Sequence, residues 1–258
     1  MKAIITGASS GIGREMARIL SSMGYDIIAV ARREERLLNL KRELKTNVEI
    51  LCLDVSDPLQ CKALAKRAKE AEIFINNAGF GVFGELCSTS LDDELKMLDT
   101  NIRAVHILTK LVAEVFKARN SGYILNVASL AAFFPGPMFA AYYASKSYVL
   151  RLSQALMEEF RREKSDVKIS VLCPGPVHTE FGDVAGVSFG LGNEKGRKII
   201  IKDCRYVAEY AIKKMFAGKG IIIPGSIMKM AVFLRRILPD KMLARAVCMI
   251  QREKCITK

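Results

Sequence analysis

Near its start the chain runs from an apolar stretch, Ala3 to Thr6, into Gly7-Ala8-Ser9-Ser10-Gly11-Ile12-Gly13 and then into a helical pattern ending near Met23. A strand that enters a helix through three glycines leaves few folds open. Glycines remove Cβ atoms where backbone must approach a bound group, and the helix that follows offers unpaired N–H groups and the positive end of its dipole. The turn therefore reads as a phosphate cradle built from Gly7, Ser9, Ser10, Gly11, Ile12 and Gly13. Its spacing is G-x-x-x-G-x-G rather than G-x-G-x-x-G, so the strand-turn-helix context carries the reading.

The rest of the chain keeps the same rhythm. Apolar β-rich runs at Ala3–Thr6, Asp26–Ala31, Val48–Leu53, Ile73–Asn76, Tyr123–Ala128, Val167–Cys173 and Ile221–Ile223 alternate with helical patterns near Ile12–Met23, Glu34–Leu44, Pro58–Lys69, Leu91–Arg119, Ala141–Arg162 and Cys204–Ala217. Each connection is long enough for a crossover between parallel strands. The fold expected is a single doubly wound α/β domain over residues 1–224, with a seven-stranded parallel sheet and helices on both faces. Ligands in such sheets bind beyond the carboxyl ends of the strands. Asp54 and Val55 after the third strand, and Asn76, Ala78 and Gly79 after the fourth, are accordingly expected at the bound group.

Composition narrows the class further. With 258 residues, half of them hydrophobic, the chain supports one well-buried core. The first apolar run is too short for a secretory core or a membrane span, and a cytoplasmic protein is expected. Seven cysteines without C-x-x-C spacing read as reduced thiols, and the two histidines, His106 and His178, have no metal-ligand spacing, so no metal is expected. The net charge of +13 is concentrated in the tail: from Ser226 to Lys258, eight basic residues stand against two acidic ones. This extension, 225–258, alternates apolar and basic residues and is interrupted by Pro239. It is expected to dock on the domain or on a second subunit with its charges in water; peripheral contact with an anionic membrane is the alternative, and no nucleic-acid partner is expected. The Gly-rich stretch 175–200, with Val184, Val187, Phe189 and Leu191, is expected to form a lid.

Tyr142 and Lys146 stand four residues apart in a helical segment and so share a face. A neighbouring ammonium is expected to favour the phenolate and make the tyrosine a usable proton donor or acceptor. Ser129 follows the fifth strand at the sheet edge that carries the glycine turn, where its hydroxyl can hold a substrate oxygen. Asn101 lies within a long helical pattern in which Asn is a poor helix former, and a buried contact would explain it.

Taken together, Thr6 to Gly13, Asn76 to Gly79, Asn101, Ser129, Tyr142 to Lys146, and Pro174, Gly175 and Thr179 resemble the short-chain dehydrogenase/reductase family from the first strand to about residue 224. The resemblance implies a Rossmann-type fold, a nicotinamide dinucleotide and assembly as a homodimer or homotetramer. It gives Tyr142 the acid/base role, Lys146 contact with both the tyrosine and the ribose, Ser129 the substrate oxygen and Asn101 a water in a proton relay. Pro174, Gly175, Val177 and Thr179 would lie beside the nicotinamide. Phe80, Val82, Phe83 and the Phe133–Phe139 stretch add an apolar wall, which favours a hydrophobic ketone or aldehyde; a dinucleotide-sensing regulator without turnover is the alternative. The second strand ends Val30-Ala31-Arg32-Arg33, with no carboxylate to select an unphosphorylated ribose, so Arg32, assisted by Arg33, is expected to bind a 2′-phosphate, making NADP(H) preferred over NAD(H).

Overall fold

In each strand the side chains alternate between two apolar layers, which fixes both the register and the positions of the helices. A computed structural model describes residues 1–177, 179–185 and 202–253. Its sheet is seven-stranded and parallel throughout, in the order β3-β2-β1-β4-β5-β6-β7. The strands are β1 (Lys2–Thr6), β2 (Asp26–Ala31), β3 (Val48–Cys52), β4 (Ile73–Asn76), β5 (Tyr123–Val127), β6 (Lys168–Leu172) and β7 (Ile221–Ile222). Ala3, Ile5, Ile27, Ala29, Ile73 and Ile75 point to one face. There they meet α1 (Gly11–Ser22), α2 (Glu34–Glu43) and α8 (Cys204–Phe216). Ile4, Ile28, Val30 and Phe74 point to the other, against α3 (Pro58–Lys66), α5 (Val105–Ala118) and α6 (Ala140–Arg162). The chain winds outward from β1 to β3, then returns to add β4 on the other side of β1. That reversal opens a crevice between the ends of β1 and β4.

The long helical pattern between the fourth and fifth strands is not one helix. It divides into α4 (Leu91–Leu98), a π-helical segment Asp99–Ala104, and α5. The widened turn holds Asn101 wholly buried, with its amide spent on contacts outside the helix. Such bulges are frequent at functional sites. After residue 180 a short helix α7 (Phe181–Ala185) is described. Val187, Phe189 and Leu191 of the expected lid lie outside the described residues. The tail forms α9 (Ser226–Leu234) and α10 (Asp240–Glu253). Pro239 separates them, and its carbonyl accepts the first N–H groups of α10, from Met242 and Leu243.

One polar network is buried inside the apolar layers. Asn126 on β5 accepts hydrogen bonds from Asn76 Nδ2 (2.8 Å) and Thr109 Oγ1 (3.1 Å) and donates to Ser153 Oγ (3.0 Å). It thereby joins β4, β5, α5 and α6 at the level of the cleft floor. Asn126→Ala removes one hydrogen bond from each of three buried polar groups at once and is expected to lower stability by roughly 2–4 kcal/mol, measured by urea denaturation. A loss below about 0.5 kcal/mol would mean that the network contributes nothing net.

Candidate active site

The crevice is lined at its floor by the glycine turn. Thr6 closes β1, and its hydroxyl accepts the N–H groups of Asn77 (3.0 Å) and Ala78 (3.1 Å) while donating to the Ile75 carbonyl (3.3 Å). Asn77 Nδ2 returns bonds to the carbonyls of Thr6 (3.0 Å) and Gly7 (3.2 Å). Gly7 has φ +67°, and a Cβ there would stand 2.8 Å from Asn77 Nδ2. A Cβ on Gly13 would overlap both that amide and the Gly7 carbonyl. Ser10 caps α1 without its side chain accepting from the helix, the first turn holds no acid, and Ser10, Gly11 and Ile12 all line the cleft. These features fit a dinucleotide pyrophosphate.

Among the expected cofactor residues, Gly7, Ser9, Ser10, Gly11, Ile12, Arg32, Arg33, Asp54, Val55, Ala78, Gly79, Pro174, Gly175, Val177 and Thr179 all line one cleft of about 700 Å³, together with Ser129, Tyr142 and Lys146. Two do not. Asn76 is turned away, its Nδ2 donating to Thr109 and Asn126 in the core, and its neighbour Asn77 lines the cleft instead. Strand alternation puts successive side chains on opposite faces, and only one of the pair can reach the cleft. Gly13 lies beneath the turn, where it permits close packing of α1.

Asn101 also stays below the surface. Its Oδ1 accepts from Phe80 N–H (3.1 Å), and its Nδ2 donates to the Phe80 carbonyl (2.8 Å) and to Ser145 Oγ (3.1 Å). The contact expected of it is present, and it fixes the Gly79–Phe80 turn against α6 rather than facing the cleft.

Tyr142 and Lys146 share a face as expected, with Lys146 Nζ 5.8 Å from the Tyr142 ring centroid and bonded to the Val127 carbonyl (3.0 Å). Phe139 stacks on the tyrosine at 4.5 Å. Ser129 Oγ accepts Ala131 N–H (3.1 Å) and hydrogen-bonds the Tyr142 hydroxyl. The expectation that the ammonium draws the phenol toward ionisation needs correction. Burial pushes the phenol well above its ordinary range, and the Ser129 bond offsets this only partly. Burial also pulls the Lys146 ammonium down to about 8. Burial thus favours the neutral phenol at Tyr142.

At the rim, Arg32 is 3.8 Å from Asp54 and largely exposed. Arg33 sits closer to the turn: it donates to Ser9 Oγ (3.1 Å) and Ser10 Oγ (2.9 Å), and pairs with Glu180 (2.9 Å), which Arg36 also holds. Arg36, then Arg33, keep the Glu180 carboxyl below the usual carboxylate range. Glu180 was not legible as a site residue, because it is paired across 147 positions of sequence. The tail was not legible as part of the site either. Met228 of α9 and Leu243, Val247, Ile250 and Gln251 of α10 line the cleft, and Tyr143 Oη accepts from Gln251 Nε2 (2.9 Å). Of the expected apolar wall, Phe80, Phe134 and Phe139 reach the cleft, while Val82 and Phe83 pack behind Phe139.

Residues 1–186 match the family model described as short chain dehydrogenase. An uncharacterised oxidoreductase of Staphylococcus epidermidis is 32% identical over 195 residues, covering 73% of this chain and 82% of the relative. A short-chain dehydrogenase from Sphingobium yanoikuyae, solved in complex with NADPH, superposes with a TM-score of 0.78 at 28% identity, over 86% of this chain and 87% of its own. A short-chain dehydrogenase/reductase from Burkholderia phymatum, solved in complex with NAD, gives 0.81 at 27% identity, over 91% and 92%. These neighbours carry different forms of the dinucleotide.

The depressed Lys146 ammonium has a consequence for stability. Its pKa in the folded chain, about 8, lies below its ordinary 10.5, so the unfolded chain binds the extra proton between those values and stability rises with pH across that window. Replacing the lysine by an uncharged side chain removes this dependence. Lys146→Met is therefore expected to be most stabilised relative to the native protein near neutral pH, the difference shrinking as pH rises through about 8 toward about 10, as measured by denaturant titration. A difference constant across that range would show that Lys146 is not charged and buried together.

Proposed function

The chain belongs to the short-chain dehydrogenase family of NAD(P)-dependent oxidoreductases acting between CH–OH and C=O, and on that premise we propose that it is an NADPH-dependent reductase of apolar ketones or aldehydes. The observation that carries the cofactor reading is Arg33, held by the hydroxyls of Ser9 and Ser10 at the cleft rim where β2 ends in Ala31 with no carboxylate. A 2′-phosphate placed there meets a planar, charge-assisted fork, which it takes over from the Glu180 carboxylate. Arg33, rather than Arg32, is its principal partner, with Arg36 behind it.

The cradle from Gly7 to Ile12 would hold the pyrophosphate, Asp54, Val55 and Ala78 the adenosine, and Lys146, Pro174, Gly175, Val177 and Thr179 the nicotinamide end. When bound, the nicotinamide supplies the hydride or accepts it. The chain's own groups manage the oxygen: Ser129 Oγ positions it, Tyr142 Oη gives or takes its proton, and the Lys146 ammonium adds positive charge beside the phenol as that proton leaves. Asn101 keeps the Gly79–Phe80 turn in place. Phe134, Phe139, Leu243, Val247 and Ile250 keep water from the remainder of the cleft, which suits a hydrophobic substrate.

Tyr142→Phe is expected to remove most turnover in a ketone and aldehyde screen followed by absorbance of the reduced nicotinamide, with NADPH binding nearly intact. Tyr143→Phe loses only the Gln251 bond and should raise KM more than it lowers kcat. Equal loss of kcat in the two variants would overturn the choice of acid.

Fluorescence titration tests the cofactor. The native protein should favour NADPH over NADH by about 10- to 100-fold, and Arg33→Ala should abolish most of that preference without weakening NADH. Glu180 competes for the same guanidinium groups, and Glu180→Gln is expected to tighten NADPH about two- to fivefold, a modest gain because the pairs are partly exposed. Equal affinity of the native protein for both cofactors refutes the assignment.

A further inference from the structure

The last two helices each carry a second face that the active site does not use. On α9, Met228 and Ala231 face the cleft. Ile227, Met230, Phe233 and Leu234, with Ile237 just beyond, follow at three- and four-residue steps on the opposite side, and Phe233 and Ile237 are 57% and 70% exposed. On α10, Leu243 and Val247 face the cleft, whereas Met242 and Met249 are exposed on the other side. Single exposed apolar residues are ordinary, but this concentration of them on two consecutive helices marks a surface meant to be covered.

Charge identifies what covers it. Arg236, Lys241, Arg245 and Arg252 are exposed on these two helices and the turn between them, and form no ion pair among the described residues. Asp240 is the only carboxylate among the described side chains from 226 to 252. A second copy docking through the same patch would bring these cations together with almost nothing to neutralise them.

We infer that this face docks on an anionic lipid bilayer, with the apolar run sinking into the interface and the basic residues meeting the headgroups. Among the described residues no helix is long and apolar enough to cross a membrane, so the contact lies at the surface. Ile250 both lines the cleft and is half exposed, so the apolar lining continues outward onto the docking face. A hydrophobic carbonyl compound dissolved in the bilayer then reaches Tyr142 without passing through water. Docking stands on the surface alone, while delivery of substrate rests on the proposed reduction of an apolar carbonyl.

The test is flotation of the full chain with vesicles of phosphatidylcholine, and with vesicles in which one third of that lipid is replaced by phosphatidylglycerol. The native protein should float with the anionic vesicles and about tenfold less, or weaker still, with the neutral ones. Phe233→Glu with Ile237→Glu should abolish flotation, and Arg236→Gln with Lys241→Gln should weaken it roughly fivefold for each charge removed. Neither pair touches the cleft, and both variants should keep native NADPH binding and thermal unfolding, which separates lost docking from lost folding. The inference is overturned if the native protein fails to float with anionic vesicles, if it floats equally with both kinds, or if the glutamate variant floats like the native protein. It is also overturned if that variant turns a native dimer into monomers while vesicle binding persists, which would make the face a subunit contact. A failure of the reductase reading looks different: flotation persists while no carbonyl compound is reduced in solution.

Discussion

Thr6 and Asn77 tie together the carboxyl ends of β1 and β4, and the active site depends on that joint. One hydroxyl accepts two backbone N–H groups while one amide spans two backbone carbonyls. The adjacent backbones are thereby drawn so close that neither Gly7 nor Gly13 has room for a Cβ. The closeness is useful because it leaves the N-terminus of α1 bare at the bottom of the crevice, with its N–H groups aimed at whatever anion enters. Sheet topology alone would place a gap there; the Thr6–Asn77 contacts turn it into a cradle of fixed shape.

The catalytic side is held from below in the same manner. Asn101 occupies a π-helical turn and binds both the N–H and the carbonyl of Phe80 while also meeting Ser145 on α6. The helix that bears Tyr142 and Lys146 is thereby fixed against the turn that follows β4. Burial then sets the chemistry. It pushes the phenol up and makes the ammonium costly to hold. Cys173, wholly buried behind Lys146, has its thiol pushed up to about 12 and stays out of the reaction.

The tail changes the character of the cleft. A domain ending at the seventh strand would leave this side of the cleft open, whereas here α9 and α10 lie along it, and the Gln251–Tyr143 bond fixes the second helix beside Tyr142. Part of the cleft wall and the outward apolar face are consequently carried by one segment.

The sequence by itself determined the parallel α/β sheet, since seven apolar runs alternating with helical patterns admit little else, and it determined the glycine turn and the Tyr142, Lys146 and Ser129 set, because local spacing puts those groups at one sheet edge. Tertiary structure decided matters in which residues distant in sequence compete for the same space. Asn76 and Asn77 are equivalent as text, and strand alternation alone sends the first into the core and the second to the cleft. Arg32 and Arg33 are likewise adjacent, yet only Arg33 reaches Ser9 and Ser10, and its partner Glu180 arrives from the far side of the chain. The tyrosine's protonation state follows from its burial, which the Tyr-x-x-x-Lys spacing does not encode, since the solvent lost at that site depends on Phe139 stacking over it and on how the surrounding chain packs.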